Sequence, residues 1–308
     1  MTQKHIYIYS PSGAVRDKVA FRRGLARLKF LGHEVEVDEA ALVSHLRFAG
    51  DDETRLAAIS RAAASGADIA LISRGGYGLT RLLPKLSCKA LARAIDQGMQ
   101  FVGMSDFTAL QCAVLAQTGA VTWAGPSLCE GFGGEGTPDD IMEACFDDLV
   151  CAKGEGAGWR QDRMSAAESV STKQDYTMKE AVLWGGNLTV LTSLLGTPYC
   201  PNIKGGILFL EDIGEHPYRI ERMLTQLLHA GVLAKQKAIV LGQFTDYKLG
   251  FHDKGFGLKT VQGWLRSQLK IPVLTNLPFG HVPTKVLLPV GEKVNLMVNG
   301  RDALLYWG

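Results

Sequence analysis

Ser105 is the residue whose type and position most directly suggest chemistry. It follows an apolar run at residues 100–104, which has the composition of a buried strand, and helical spacing begins at Asp106. A serine at such a strand-to-helix corner exposes its hydroxyl beside the N–H groups of the first helical turn, which is the geometry that a nucleophile requires. Phe107, however, stands where the Gly-x-Ser-x-Gly elbow has its second glycine. The local pattern therefore leaves two interpretations open, a nucleophile and a helix N-cap.

A serine nucleophile needs a base that takes its proton, and the base needs an acceptor that orients it. Of the seven histidines, His216 and His281 lie in turn-rich, apolar-flanked segments, where an imidazole can be fixed and still reach a cleft. The pattern does not separate these two candidates. The other histidines are predicted to be structural or solvated, or to lie in a flexible loop; they are His5, His33, His45, His229 and His252.

The best candidate for the orienting carboxylate is Glu211, which ends the apolar run 206–210. An isolated buried carboxylate is costly, so an acidic residue at the end of a buried strand needs a partner. Asp212 and Glu215 are close competitors. Glu211 could also be a strand-end carboxylate that caps the following turn.

A pair of glycines follows another apolar run, in the segment Arg74-Gly75-Gly76-Tyr77-Gly78. Adjacent glycines let the backbone approach a ligand closely or point its N–H groups into a cavity, and they also occur in ordinary β–α turns. The segment is neither a Walker loop nor a Gly-x-Gly-x-x-Gly dinucleotide fingerprint.

Apolar runs alternate with helical patterns in the first half of the chain. The predicted strands are residues 6–9, 34–37, 69–73, 100–104 and 120–124, and the predicted helices are residues 15–31, 52–64, 90–97 and the segment after Ser105. This alternation predicts a mostly parallel α/β sheet whose functional edge lies at the carboxyl ends of the strands. Both Ser105 and the Gly75-Gly76 turn are expected on that edge.

The composition changes between residues 150 and 177 to polar and glycine residues with little periodicity. We therefore predict an N-terminal α/β domain at residues 1–155, a linker at 156–177 and a second domain at 178–308. Short strand-like runs and helical segments at 219–230 and 258–269 indicate that the second is a smaller, β-rich α+β domain with antiparallel character. The runs are residues 181–184, 206–210, 238–241, 286–288, 294–298 and 303–306.

The charge balance argues against nucleic acid and anionic membranes as partners. The 308 residues carry 33 basic and 31 acidic side chains, for a net charge of +2. No apolar run approaches the ~20 residues of a membrane span. The six cysteines form no Cys-x-x-Cys pair, which indicates free thiols in a reducing compartment and no disulfide or zinc framework. We therefore expect a cytoplasmic protein that acts on small molecules.

Eight short segments form an ordered set: Pro11-Ser12-Gly13, Arg47-Phe48-Ala49-Gly50, Arg74-Gly75-Gly76-Tyr77-Gly78, Ser105-Asp106-Phe107-Thr108, Trp184-Gly185-Gly186-Asn187-Leu188, Leu210-Glu211-Asp212-Ile213, His216-Pro217-Tyr218-Arg219 and Phe279-Gly280-His281. In this order the set resembles the murein-peptide LD-carboxypeptidases, a serine peptidase family that also contains the microcin-immunity peptidases. The similarity extends over nearly the whole chain. It departs from the family at Ser10, where the family usually has alanine.

The resemblance implies a flavodoxin-like N-terminal domain, a smaller β-rich C-terminal domain and a homodimer in the cytoplasm. It also implies a Ser-Glu-His triad of Ser105, Glu211 and His281, divided between the two domains. Only the resemblance selects His281 over His216. The implied chemistry requires no metal or organic cofactor.

In this mechanism the oxyanion would be met by the N–H of Asp106 and by an N–H of the Gly75-Gly76 turn. The Asp106 side chain is predicted to complement the helix dipole. Arg74 is our candidate for binding the terminal carboxylate of the substrate, because a guanidinium fork suits a carboxylate, although it could equally tie two loops together. Trp184 is predicted to pack in the core.

The implied activity is release of the terminal D-alanine from murein tetrapeptide, free or sugar-linked, in cell-wall recycling. One alternative is a peptidase of the microcin-immunity type, which cleaves a peptidyl-nucleotide. Another is a non-catalytic ligand-binding or amidotransferase-like accessory protein. The presence of all three triad residue types in matching segments argues against the last alternative.

Overall fold

The computed structural model describes residues 3–152, 155–163 and 175–307. These residues form two units, and each unit is assembled from more than one stretch of sequence. The first unit contains the chain up to residue 154 together with residues 196–201 and 283–291. The second contains residues 155–195, 202–282 and 292–308.

The described residues form thirteen strands and eight α-helices. In chain order they are β1 (His5–Tyr9), α1 (Lys18–Phe30), β2 (Glu34–Val37), α2 (Asp52–Ala64), β3 (Ile69–Ile72), α3 (Cys88–Asp96), β4 (Gln100–Gly103), α4 (Thr108–Thr118), β5 (Thr122–Ala124), α5 (Asp140–Cys151), β6 (Gly156–Arg160), β7 (Asp175–Asn187), α6 (Leu188–Ser193), β8 (Ile207–Ile213), α7 (Pro217–His229), β9 (Ala238–Thr245), α8 (Leu258–Gln268), β10 (Val273–Leu274), β11 (Leu288–Val290), β12 (Lys293–Asn299) and β13 (Asp302–Tyr306).

The first unit is built on a six-stranded sheet in the order β11-β5-β4-β3-β1-β2. Strands β1 to β5 are parallel and have the 2-1-3-4-5 order of flavodoxin-like folds. The predicted flavodoxin-like sheet is therefore confirmed. Strand β2 lies at one edge, and β11 closes the other edge by pairing antiparallel with β5.

The inner strands of this sheet are apolar because they are buried on both faces. Ile8 and Leu71 are fully buried and belong to a core that includes Phe21 of α1 and Phe146 of α5. Phe101 in β4 is also fully buried. This packing makes the sheet a rigid frame for the loops that leave its carboxyl edge.

The second unit is built on a seven-stranded sheet in the order β10-β9-β8-β7-β12-β13-β6. Strands β7 to β10 are parallel neighbours, and α6, α7 and α8 lie in the crossovers between them. The pairings of β7 with β12, β12 with β13 and β13 with β6 are antiparallel. The predicted antiparallel character is present, but it accounts for only half of the sheet.

Two predicted boundaries are wrong. The interval 156–177 was predicted as a linker, but it contains strand β6, which pairs with β13, and the start of β7; residues 164–174 lie outside the described part. The run 286–288 was assigned to the second domain, whereas β11 pairs with β5 in the first unit. Both errors have one cause, because the partners that stabilise these short strands are far away in sequence.

Aspartates fix where several helices begin. Asp17, Asp51 and Asp139 each accept backbone N–H bonds at the starts of α1, α2 and α5.

The longest helices among the described residues have 13 residues. Within the ranges that the structure describes, no helix has the length and apolar character needed to cross a bilayer.

A close approach of β7 to β8 at Gly185 provides a test of the second sheet. Gly185 has φ 134°, and a Cβ there would lie 1.9 Å from the carbonyl oxygen of Phe209. We expect Gly185→Ala to lower the free energy of unfolding by about 3 kcal/mol or more, because the strands must separate to admit the methyl group. Gly231 also has a positive φ, 68°, but open space around it, so Gly231→Ala should cost only about 1 kcal/mol. Thermal unfolding followed by circular dichroism checks this, and equal losses would contradict it.

Candidate active site

Ser105 lies at the corner where β4 ends and the helical segment begins. Strand β4 ends at Gly103, residues 105–107 form a single 3₁₀ turn, and α4 continues from Thr108. Ser105 is partly buried and has φ 62°, in the left-handed region that costs a non-glycine residue about 1–2 kcal/mol. Such an outlier at a strand-to-helix corner is the backbone geometry of a nucleophile elbow.

The predicted glycine turn contacts this serine. A Cβ on Gly75 would lie 2.7 Å from the Cβ and 2.8 Å from the Oγ of Ser105, so only glycine fits there. The N–H of Gly13 donates to the carbonyl oxygen of Gly75 over 3.2 Å. Gly76 has φ 123°, and a Cβ there would lie 3.0 Å from the Cα of Gly13. The backbone at Gly13, at Gly75-Gly76 and at Ser105 is therefore packed together with almost no side-chain atoms between the three segments.

The Asp106 side chain does more than complement a helix dipole, which was its predicted role. It is 2% exposed and accepts hydrogen bonds from the Ser12 hydroxyl and from the N–H of Leu79, the latter at 2.9 Å. Burial raises the pKa of the Asp106 carboxyl, and the hydrogen bonds from Ser12, Leu79 and Gly78 offset only part of that rise. Asp106 therefore ties the loop that contains Ser12 and the end of the glycine turn to the helical segment that follows Ser105.

Arg74 was predicted to bind a substrate carboxylate or to tie two loops together. Its Nη1 donates to the carbonyl oxygen of Ala14 over 3.1 Å, across the segment that leads into α1. Arg74 also lies near Cys129, since its charge opposes the rise that burial causes in the pKa of that thiol. The observed contact thus corresponds to the loop-tying alternative.

In the second unit, Glu211 and His281 form a pair. Nδ1 of His281 lies 2.9 Å from Oε2 of Glu211, whose side chain is completely buried, and the His281 side chain is 11% exposed. The register of β8 against β9 shifts between Leu210 and Asp212, at the position of Glu211. Gly280, with φ 140°, approaches so closely that a Cβ on it would lie 3.3 Å from Oε2 of Glu211. The bulge and the glycine together let the imidazole reach the carboxylate.

Asn187 and Asp212 surround the same carboxylate; the sequence offered Asp212 only as a competitor of Glu211 and gave Asn187 no role. Nδ2 of Asn187 donates to Oε1 of Glu211 over 3.2 Å and to Oδ1 of Asp212 over 2.9 Å. Thr189 donates to Oδ2 of Asp212 through its N–H and its hydroxyl. Burial raises the pKa of Asp212, and the neighbouring charge of Glu211 raises it further. The one sequence signal for Asn187 was its place in the Trp184-Gly185-Gly186-Asn187 segment, one of the eight that resemble the family.

The competing histidine has a different set of contacts. His216 caps α7, where its Nδ1 accepts from the N–H of Tyr218 over 3.4 Å. Its Nε2 lies 3.2 Å from Oδ2 of Asp253. Trp184 is fully buried and its Nε1 donates to Gln236, in agreement with its predicted place in the core. The structure thus places His281, and not His216, on Glu211.

Comparisons with known proteins assign the chain to a family. Sequence profiles of the LD-carboxypeptidase N-terminal and C-terminal domains match residues 6–125 and 180–296. A carboxypeptidase homologue of Synechocystis sp. is 31% identical over 94% of this chain and 90% of its own length. The chain belongs to the LD-carboxypeptidase family. The resemblance inferred from the eight segments is therefore confirmed.

Proteins with two different kinds of name are similar to this chain. The crystal structure of a muramoyltetrapeptide carboxypeptidase from Oxalobacter formigenes is 42% identical, covers 98% of this chain and 99% of its own, and superposes with a TM-score of 0.87. The microcin C7 self-immunity protein of Escherichia coli is 28% identical over 74% of this chain and 70% of its own length. The comparisons thus establish the fold and the family and leave the substrate to be proposed.

The backbone strain at Ser105 can be tested without an activity assay. Ser105→Ala and Ser105→Gly both remove the hydroxyl, but only alanine keeps a Cβ at φ 62° and against Gly75. We expect the glycine variant to be more stable than the alanine variant by about 1 kcal/mol, because glycine adopts positive φ without steric cost. Urea unfolding of the two variants measures the difference. Greater stability of the alanine variant would mean that the left-handed backbone is not strained.

The buried Asp106 predicts a specific pH dependence. A carboxyl whose pKa is raised in the folded state contributes stability that is complete below the unfolded-state pKa and is lost as pH rises through the folded-state pKa. The stability advantage of wild type over Asp106→Asn should therefore decrease from pH 4.5 to pH 8, from a starting value of about 1–3 kcal/mol. Asp140→Asn, at an exposed position in α5, is the matched control. An advantage that grows with pH would contradict the prediction.

Proposed function

We propose that this member of the LD-carboxypeptidase family is a serine enzyme that releases the terminal D-alanine of murein tetrapeptide. The observation that carries the proposal is the left-handed backbone of Ser105, at a strand-to-helix corner opposite a glycine that leaves its hydroxyl uncovered. The buried Glu211 on Nδ1 of His281 supports it, because that arrangement orients an imidazole as a base. A relative named as a muramoyltetrapeptide carboxypeptidase supports the choice of substrate.

In the first half-reaction, Oγ of Ser105 attacks the carbonyl carbon of the L-configured centre of meso-diaminopimelate. His281 takes the hydroxyl proton on Nε2, while Glu211 holds Nδ1 and stabilises the imidazolium. The N–H of Asp106 and an N–H of the Gly75-Gly76 turn bind the developing oxyanion, a role worth about 3 kcal/mol per donor in comparable sites. His281 then returns the proton to the amide nitrogen, the C–N bond breaks and D-alanine leaves.

In the second half-reaction, water attacks the ester between Ser105 and the tripeptide. His281 removes a proton from the water and returns one to Oγ of Ser105, so the enzyme is regenerated and the tripeptide leaves as a carboxylate. Every proton in this cycle is carried by the imidazole, which is why the proposed chemistry uses only side chains and backbone groups of the chain.

The proposed substrate is L-Ala-γ-D-Glu-meso-diaminopimelate-D-Ala, free or sugar-linked, as it arises in cell-wall recycling. The same proposal includes a cytoplasmic location and a homodimer. Static light scattering on a size-exclusion column tests the assembly directly, since a monomer mass at all concentrations would contradict the homodimer.

The triad assignment predicts the effect of single substitutions on D-alanine release. Ser105→Ala and His281→Ala should lower kcat by at least about 10³-fold, and Glu211→Gln by about 10²- to 10⁴-fold, because the three groups act as one unit. Release of D-alanine from the tetrapeptide is measured by chromatography, and circular dichroism checks that each variant is folded. A serine-directed phosphonate should label wild type and not Ser105→Ala.

His216→Ala is the matched control for His281→Ala. It removes a histidine that caps α7 and contacts Asp253, so it should cost about 1 kcal/mol of stability and leave kcat near the wild-type value. An inactive His216→Ala beside an active His281→Ala would transfer the base role. Cleavage of an aspartyl-adenylate amide in place of the tetrapeptide would assign the chain to the microcin-immunity type.

A further inference from the structure

An exopeptidase of the proposed kind must recognise the terminal carboxylate of its substrate, and the inference below rests on that proposed function. Arg74 was the candidate from sequence, but its Nη1 donates to the carbonyl oxygen of Ala14. Arg55 and Arg81 lie beside the same turn, and both are paired with the carboxylate of Asp52, at 2.5 and 3.0 Å. These three guanidinium groups already have acceptors within the protein.

Arg47 differs from its neighbours in this respect. Its side chain is exposed, and among the described residues it has no carboxylate or carbonyl acceptor. Its guanidinium lies over the ring of Tyr77, 5.5 Å from the centroid, and Tyr77 is 47% exposed. The aromatic ring supports one face of the guanidinium without using its N–H groups, which remain available to a planar anion.

The backbone holds Arg47 close to the Ser105 region. His45 and Phe48 exchange two backbone hydrogen bonds of 2.9 Å, which form a tight turn with Leu46 at φ 56° and Arg47 at its tip. The carbonyl oxygen of Arg47 accepts from the N–H of Ala14 over 3.0 Å. The adjacent residue Gly13 donates to Gly75, the glycine that faces Ser105.

Tyr77 is connected to the same place from the other side. It is two residues from Gly75 in the glycine turn, and its ring lies 6.0 Å from that of the buried Phe48. Both components of the Arg47–Tyr77 pair are therefore attached to the segments that surround the nucleophile, one through the 45–48 turn and one through the glycine turn. An anion bound by Arg47 would be held at the rim of the Ser105 region.

We propose that Arg47, supported by Tyr77, binds the terminal carboxylate of the peptide substrate and so makes the enzyme an exopeptidase. The ligand chemistry is a carboxylate one residue beyond the scissile amide. A guanidinium fork can hold both oxygens of such a group, whereas an ammonium provides only a point charge. Loss of a hydrogen bond to a charged group of this kind corresponds to about a 10- to 100-fold change in kcat/KM.

The test compares two substrates, the tetrapeptide acid and the same tetrapeptide with a D-alanine amide at its terminus. Wild type is expected to prefer the acid by about 10- to 100-fold in kcat/KM. Arg47→Gln should lower kcat/KM for the acid by a similar factor and bring the acid-to-amide ratio close to one. Arg47→Lys should keep part of the preference, because it retains the charge and loses the fork. Tyr77→Leu should reduce the ratio less than Arg47→Gln.

Arg93→Gln, at an exposed position on α3, is the matched control and should keep the wild-type ratio. A wild-type ratio in Arg47→Gln, or an equal loss of activity toward acid and amide, would overturn the inference, since the latter marks a structural role. A wild-type enzyme that cleaves the acid and the amide equally would also overturn it. Failure of the proposed function gives a different result, because wild type would then release neither D-alanine from the acid nor D-alanine amide from the amide.

Discussion

The contact between Gly75 and Ser105 is the constraint on which the first unit's site depends. Ser105 takes a left-handed backbone, and the opposing backbone comes so near that no Cβ fits on Gly75. Gly13 and Gly76 extend the same contact, since a Cβ on either would lie 3.0 Å from backbone atoms of the other turn. Such close packing brings the Gly75 backbone directly against the serine side chain, and the proposed oxyanion donors belong to these same segments.

Two buried ionisable side chains, Asp106 and Arg55, hold this arrangement of glycines. Asp106 holds Ser12 and Leu79, and Arg55, which is completely buried, opposes the rise in the pKa of Asp106. Nη1 of Arg55 would lie 2.6 Å from a Cβ on Gly78, so the guanidinium also requires a glycine in the turn. Asp106 and Arg55 therefore both act on the conformation of the glycine turn, Asp106 through the N–H of Leu79 and Arg55 through its close approach to Gly78.

The second unit also buries carboxylates, Glu211 and Asp212, and satisfies them with hydrogen bonds from other side chains. Glu211 and Asp212 are adjacent buried carboxylates, which would repel each other and lose hydration if they were left alone. Asn187 bridges them through Nδ2, Thr189 satisfies Asp212, and His281 takes the remaining oxygen of Glu211. The same Asn187 caps α6 through its Oδ1, so the start of that helix is tied to the orientation of Glu211.

Sequence reasoning predicted what depends on local pattern and failed where distant residues decide. Continuous apolar runs located β1, β3 and β4, because parallel strands buried on both faces have such sequences, and the alternation at 34–37 located the edge strand β2. Sequence reasoning missed β6, in which residues 156 and 158 are glycines. It also assigned β11 to the wrong unit, because Leu288 of β11 pairs with Ala124 of β5, 164 residues earlier in the chain.

His216 and His281 could not be separated because both are turn histidines. Folding brings Asp253 to His216 and Glu211 to His281, and these distant partners distinguish the two. The sequence also could not separate Arg74 from Arg47. A guanidinium is available to a ligand only if no acceptor of the protein lies beside it, and folding places Arg74 on the carbonyl oxygen of Ala14 but Arg47 over the ring of Tyr77.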